Sequence, residues 1–238
     1  MTITGGMTFA GGMTMFDAPG NRYSVSFTQA SSQYLTVPGT GSQFAFGTGN
    51  FTIEGWFYAT SFSNTPLLAS IQSSWSVRVS TTGLVTWYIG GANIGQVTSA
   101  VTINTWNHFA VVRSGTGTNQ FVIYVNGVAG YTNTRADNIT NTNTLYLSKS
   151  DVSNSGYLAG YISNFRVVKG IAVYTGNFTV PTAPLTATQS AGTNISAITG
   201  TETGLLTCQS STFIDNSTNN LTVTATNGPV TSTFIPFT

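Results

Sequence analysis

The stretch Phe121-Val-Ile-Tyr-Val-Asn-Gly-Val-Ala-Gly-Tyr131 decides how the rest of the chain reads. Two runs rich in β-branched and aromatic residues flank Asn126-Gly127, and a two-residue Asn-Gly loop accepts the positive φ that a tight antiparallel hairpin demands at both positions. The same pattern extends outward in both directions. From Tyr23 onward, short runs of Val, Ile, Thr and aromatics alternate with Gly, Asn and Ser clusters, and helical periodicity is essentially absent. The expected strands are Tyr23–Phe27, Gln33–Val37, Phe51–Ala59, Thr65–Ile71, Trp75–Ser80, Leu84–Ile89, Gly95–Thr98 and Trp106–Arg113. They continue with Asn119–Val125, Val128–Tyr131, Leu145–Leu147 and Gly160–Val168. About a dozen strands without helices to cover a parallel sheet predict an all-β antiparallel sandwich, a jelly roll or a close relative.

The 238 residues suffice for one large sandwich, or one domain with an appendage. Hydrophobic residues at 40% and aromatics at 12% supply a core, so a charged content of 5% does not signal disorder. Ser, Thr, Asn and Gly must provide most of the polar surface. A net charge of +1 leaves little counterion-release energy for a polyanion, so no nucleic-acid partner is expected. Such a surface suits permanent homo-oligomeric or multi-copy assembly, or an uncharged ligand such as a glycan. Cys208 is the sole cysteine, which excludes an internal disulfide. No Lys or Arg precedes Arg22 and no apolar run of signal-peptide length is present, so synthesis and assembly in a cytoplasm are expected. No apolar run approaches the ~18 residues of a membrane helix, and no membrane insertion is expected.

Residues 1–20 form a Gly-rich arm with an imperfect repeat, Thr4-Gly-Gly-Met-Thr-Phe9 followed by Ala10-Gly-Gly-Met-Thr-Met15. Its composition fits either a frayed terminus or an arm that adds as a strand to another chain, with Met7, Phe9, Met13, Met15 and Phe16 filling apolar pockets. Residues 21–185 are expected to form the sandwich. Pro181-Thr-Ala-Pro-Leu185 ends the regular pattern, and residues 186–238 are read as a linker and a C-terminal β extension. The patches LLTC, NLTVTAT and TSTFIPF in that extension are too short for an independent core, so they are expected to pack back on the sandwich.

Three stretches read together as a family pattern: Gly49-Asn-Phe-Thr-Ile-Glu-Gly-Trp-Phe57, Thr105-Trp-Asn-His-Phe-Ala-Val-Val-Arg113 and Phe121-Val-Ile-Tyr-Val-Asn-Gly127. Their order and spacing resemble the laminin-G-like, concanavalin-A-like jelly-roll domains. That resemblance implies that the first is a core strand and that the other two are neighbours in one sheet. Gly160-Tyr-Ile-Ser-Asn-Phe-Arg-Val167 is similar to the closing strand of the family. Tyr174–Leu185 together with Leu205–Asn216 resembles the C-terminal signature of laminin-G-like structural proteins of marine and cyanobacterial phages. This implies a virion component, such as a capsid decoration, head fibre or tail part, assembled in the host cytoplasm with other virion proteins as partners. The alternative is a carbohydrate-binding adhesin for host surface glycans.

Hydrolysis of a glycan needs two carboxylates flanking the scissile bond. Glu54 and Glu202 read as isolated, and Asp17, Asp137, Asp151 and Asp215 stand alone in Gly/Asn/Ser-rich settings, so no enzyme is expected. His108 reads as a half-buried imidazole hydrogen-bonded within a sheet. Cys208 reads as a buried, inert thiol, with no basic neighbour to stabilise a thiolate. No cofactor is expected except calcium, which the family resemblance implies at a loop edge, with Asp137 and Asp151 as candidate ligands. For a glycan, Tyr88, Asn93, Tyr131, Asn133 and Tyr157 are the candidate contacts, aromatics for sugar faces and amides for hydroxyls.

Overall fold

The computed structural model describes residues 21–39, 41–150 and 153–237. The arm of residues 1–20, with Met7, Phe9, Met13, Met15 and Phe16, lies outside the described residues, as does Asp151. Fifteen strands are present: β1 Ser24–Phe27, β2 Tyr34–Val37, β3 Phe51–Ala59, β4 Leu67–Ile71, β5 Trp75–Val79, β6 Val85–Ile89, β7 Ala92–Gln96 and β8 Trp106–Arg113. The remainder are β9 Phe121–Val125, β10 Val128–Asn133, β11 Leu145–Leu147, β12 Gly160–Lys169, β13 Thr203–Thr207, β14 Thr224–Thr226 and β15 Val230–Ser232. Among the described residues the only helical element is the single 3-10 turn Gln29–Ser31.

Every strand pairing is antiparallel, in two sheets. The larger runs β10-β9-β8-β3-β12-β1-β15, with β13 continuing alongside β12, and the smaller runs β14-β2-β11-β4-β5-β6-β7. Asn126 and Gly127 turn with φ 49° and 80° and pair Val125 with Val128, the expected two-residue hairpin. A second turn of this kind shifts an expected boundary. Gly90 and Gly91 both have positive φ, and Ile89 pairs with Ala92 across them, so β7 starts at Ala92 and ends at Gln96 rather than spanning Gly95–Thr98. The glycine pair is a hairpin loop, not a break.

Between the sheets lies the core, fed by alternate residues of both. Phe46 stacks on Phe51 at 4.5 Å, and Trp75 stacks on Trp87 at 5.3 Å, in the layer formed with Ile53, Val77, Phe109 and Phe165. Side chains alternate across a pleated strand, so each core residue leaves its neighbour on an outer face. On β3, β8 and β12 those neighbours are buried too, because residues 171–198 fold across the outer face of the larger sheet as a strap. Short bridges link Tyr174 with Ile195 and Gln189 with Ile198, and the strap closes a second apolar cluster of Ala110, Val112, Tyr124, Val168, Tyr174 and Phe178. The linker-like tract therefore lies against the sheet. Beyond it, β13 pairs with β12, β14 with β2 and β15 with β1, so the last segment supplies strands to both sheets.

Candidate functional site

The covered face holds the charged network of the fold. Glu54, on β3, faces outward beneath the strap and is fully buried. Its Oε1 accepts hydrogen bonds from Arg166 Nε at 2.9 Å and Nη2 at 2.6 Å, and its Oε2 accepts one from the Tyr174 hydroxyl at 2.6 Å. His108 Nε2 lies 3.3 Å from Oε2. Arg166 also donates to the Thr186 carbonyl and to Gln189 Oε1, which ties β12 to the strap. Glu54 is thus not isolated, and His108, read as half-buried, is wholly inside, because sequence distance says nothing about the strap that seals them. Burial alone would raise the Glu54 carboxyl. The Arg166 guanidinium, with His108 and Tyr174, outweighs that and holds it at about 2. Burial, the Glu54 charge and its hydrogen bond push the Tyr174 hydroxyl well above the usual phenol range. This network is sealed from solvent and holds the strap down. Cys208 is also buried, which pushes its thiol up to about 12 and leaves it a poor nucleophile.

The outer face of the smaller sheet is different. Its register carries one row of direct partners across all seven strands, Thr224, Thr36, Tyr146, Ser70, Ser76, Tyr88 and Asn93. All seven bear hydroxyls or amides, and the apolar neighbours on each strand point into the core except Ala92 of β7, which is exposed. Thr36, Tyr146 and Tyr88 are half-exposed and Thr224 and Asn93 exposed, whereas Ser70 is covered by Lys149, whose carbonyl accepts its hydroxyl. The tyrosines at one end cluster, Tyr34 lying 6.1 Å from Tyr146 and 6.3 Å from Tyr157 between ring centroids. Lys149 Nζ sits 4.7 Å above Tyr34 and 5.0 Å above Tyr146. At the other end the Arg78 guanidinium lies 4.0 Å over the Tyr88 ring, beside a recess of about 210 Å³ lined by Ser73, Ser74 and Ser76. Rings for sugar faces and hydroxyls for sugar hydroxyls are the parts a saccharide site requires.

The five expected contacts do not converge. Tyr88 and Asn93 are cross-strand partners on this face. Tyr157 touches Tyr34 but is only 7% exposed, so it supports the tyrosine cluster from beneath. Tyr131 and Asn133 belong to β10 of the larger sheet. The Tyr131 hydroxyl donates to the Ile94 carbonyl and accepts from Asn133 Nδ2, so the pair closes the sandwich edge against β7. The sequence reading missed Tyr34, Tyr146, Arg78 and Lys149. Alternation in Tyr34-Leu-Thr-Val37, Leu145-Tyr-Leu147 and Trp75-Ser-Val-Arg-Val79 places the first three opposite the core residues, which is the signal that finds them. Asp137 has both carboxylate oxygens engaged by Arg135, at 2.7 Å and 2.5 Å, and its carbonyl accepts from Arg113. Among the described residues no three His, Cys, Asp or Glu side chains gather as a metal site.

Residues 29–172, well over half of the chain, match the laminin-G-type family model of the concanavalin A-like lectin/glucanases superfamily. The chain belongs to this superfamily. Membership accounts for the two stacked antiparallel sheets and for the central order β9-β8-β3-β12, in which the three family stretches and the closing strand lie side by side. Solved structures share the fold. A candidate carbohydrate-binding protein from Bacteroides ovatus is 15% identical with a TM-score of 0.58, and the match covers 90% of this chain but 60% of that one. A heptameric SAP-like pentraxin from Limulus polyphemus is 14% identical with a TM-score of 0.54, covering 91% of this chain and 96% of that one. No curated protein sequence matches.

Proposed function

We propose that the chain is a non-enzymatic glycan-binding module that lays an extended saccharide across the outer face of its smaller sheet. The observation that carries this reading is the transverse row from Thr224 to Asn93, with the Tyr34–Tyr146 cluster beside one end and Tyr88 near the other. Among the described residues this face carries no carboxylate. Hydrolysis by the usual mechanism needs two, about 5 to 9.5 Å apart, which supports reading the face as one that holds a glycan without cutting it. Binding to a glycan array tests the reading. Tyr146→Ala and Tyr88→Ala should each weaken binding about tenfold, a loss of roughly 1.4 kcal/mol, with an unchanged melting temperature. A folded protein that binds no glycan, or binds equally well without both tyrosines, would end it.

The setting we propose is a virion, where many copies of such a face would attach a particle to host surface glycans. Support comes from the phage-like residues Tyr174–Leu185 and Leu205–Asn216 and from a surface with few charges. Exposed Val128 on β10 and Val230 on β15, the two edges of the larger sheet, suit contact with neighbouring copies.

A further inference from the structure

We infer that the glycan held on the smaller sheet is an acidic one, carrying carboxylate or sulfate groups that Arg78 and Lys149 receive; this rests on the glycan-binding reading above. Composition favours an uncharged ligand, but the placement of the charges does not. The other described cations are largely spent inside the fold. Arg113 donates to the carbonyls of Gly47, Gly49 and Asp137, Arg135 pairs with Asp137, Arg166 pairs with Glu54, and Lys169 donates to the Ser42 carbonyl. The described acids are likewise engaged. Asp215 accepts from the backbone of Leu206, Ser217 and Leu221, and Glu202 accepts from Thr199.

Of the remaining three cations, Arg22 precedes β1 and is engaged in an interaction of its own, whereas Arg78 and Lys149 both lie on the candidate face. Neither pairs with a carboxylate among the described residues. Each is held over tyrosine rings, which position a cation without neutralising it. Arg78 spends Nε on Ser76 Oγ, at 2.9 Å, which leaves the paired Nη edge without a hydrogen bond to any described residue, beside the serine-lined recess. That edge is the part of a guanidinium that receives an oxyanion through two parallel hydrogen bonds. Lys149 stands over Tyr146, and Tyr146 lies three strand spacings from Tyr88, about 14 Å. Two fixed cations separated in this way suit a polymer with recurring negative groups more than a single small anion.

Polygalacturonate and its methyl ester, a neutral polymer of the same backbone, give the test, with chondroitin sulfate as the sulfated arm. The protein should bind polygalacturonate or chondroitin sulfate at least about tenfold more tightly than the ester at low salt. Arg78→Gln and Lys149→Gln should each remove most of that preference. Salt near 1 M, where the screening length is about 3 Å, should do the same. Tyr146→Ala should instead weaken all three polymers. Equal affinity for acid and ester, unmoved by Arg78→Gln, would overturn the charge preference while leaving the glycan reading in place. Failure of every polymer and every arrayed glycan would remove both. A single-stranded oligonucleotide of matched charge that bound as tightly would also overturn the inference, because the face would then be reading charge and not sugar.

Discussion

Glu54 and Arg166 are separated by 112 positions and meet with both side chains shut from solvent. A buried pair of this kind adds little net stability when intact, because desolvation offsets attraction, but breaking it leaves an uncompensated charge and costs about 3–5 kcal/mol. Glu54→Gln is therefore expected to lower unfolding free energy in urea at neutral pH by that amount while leaving glycan affinity unchanged, since the saccharide face lies on the other sheet. An equal loss of binding would place Glu54 in the site instead. The same carboxyl sets an acid limit. Its folded value of about 2 lies below the ordinary 4.5, so its contribution is complete above pH about 4.5 and is lost as pH falls through about 2. Wild-type protein should lose about 3 kcal/mol over that window, and Glu54→Gln should lack that component of the slope.

Two turn glycines in similar backbone conformations, Gly127 in the β9–β10 hairpin and Gly228 between β14 and β15, separate local strain from tertiary contact. Gly127 has φ +80° and a Cβ there would come within 2.1 Å of the Phe178 carbonyl oxygen in the strap, whereas Gly228 has φ +72° and nothing within 4 Å. The left-handed conformation alone costs an L-residue about 1–2 kcal/mol. Gly228→Ala should cost only that. Gly127→Ala should cost more and should also speed amide exchange at Phe178, whose N–H bonds to the Gly127 carbonyl. Equal losses in the two variants would show that the strap does not bear on the hairpin. The strands themselves carried a sign of the strap. Val85-Thr-Trp-Tyr-Ile89 alternates as an open-faced strand does, while Phe109-Ala-Val-Val112 is a continuous apolar run, the mark of a strand covered on both sides.

At the scale of the molecule, β14 forms an edge of the smaller sheet and β15 an edge of the larger, so the turn between them carries the chain from one layer to the other. Heating the full chain should give one cooperative calorimetric transition, and a chain ending at Leu221 should melt lower but still in one step. A separate transition that disappears with the truncation would mean that the extension folds by itself. Strands, hairpins and the sandwich class were legible in the sequence because they rest on local facts: the two-residue alternation of Val, Ile and aromatics, and the positive φ that Asn126-Gly127 accepts. Tyr88 and Asn93 were legible as polar residues on or beside a strand, but the row they share with Tyr146 and Thr36 was not. That row depends on the order β2-β11-β4-β5-β6, which joins residues far apart in the chain. Which outer face is sealed and which stays open was likewise decided only in three dimensions, because the strap, the Glu54–Arg166 pair and the placement of Arg78 and Lys149 over tyrosine rings depend on long-range packing that no local pattern records.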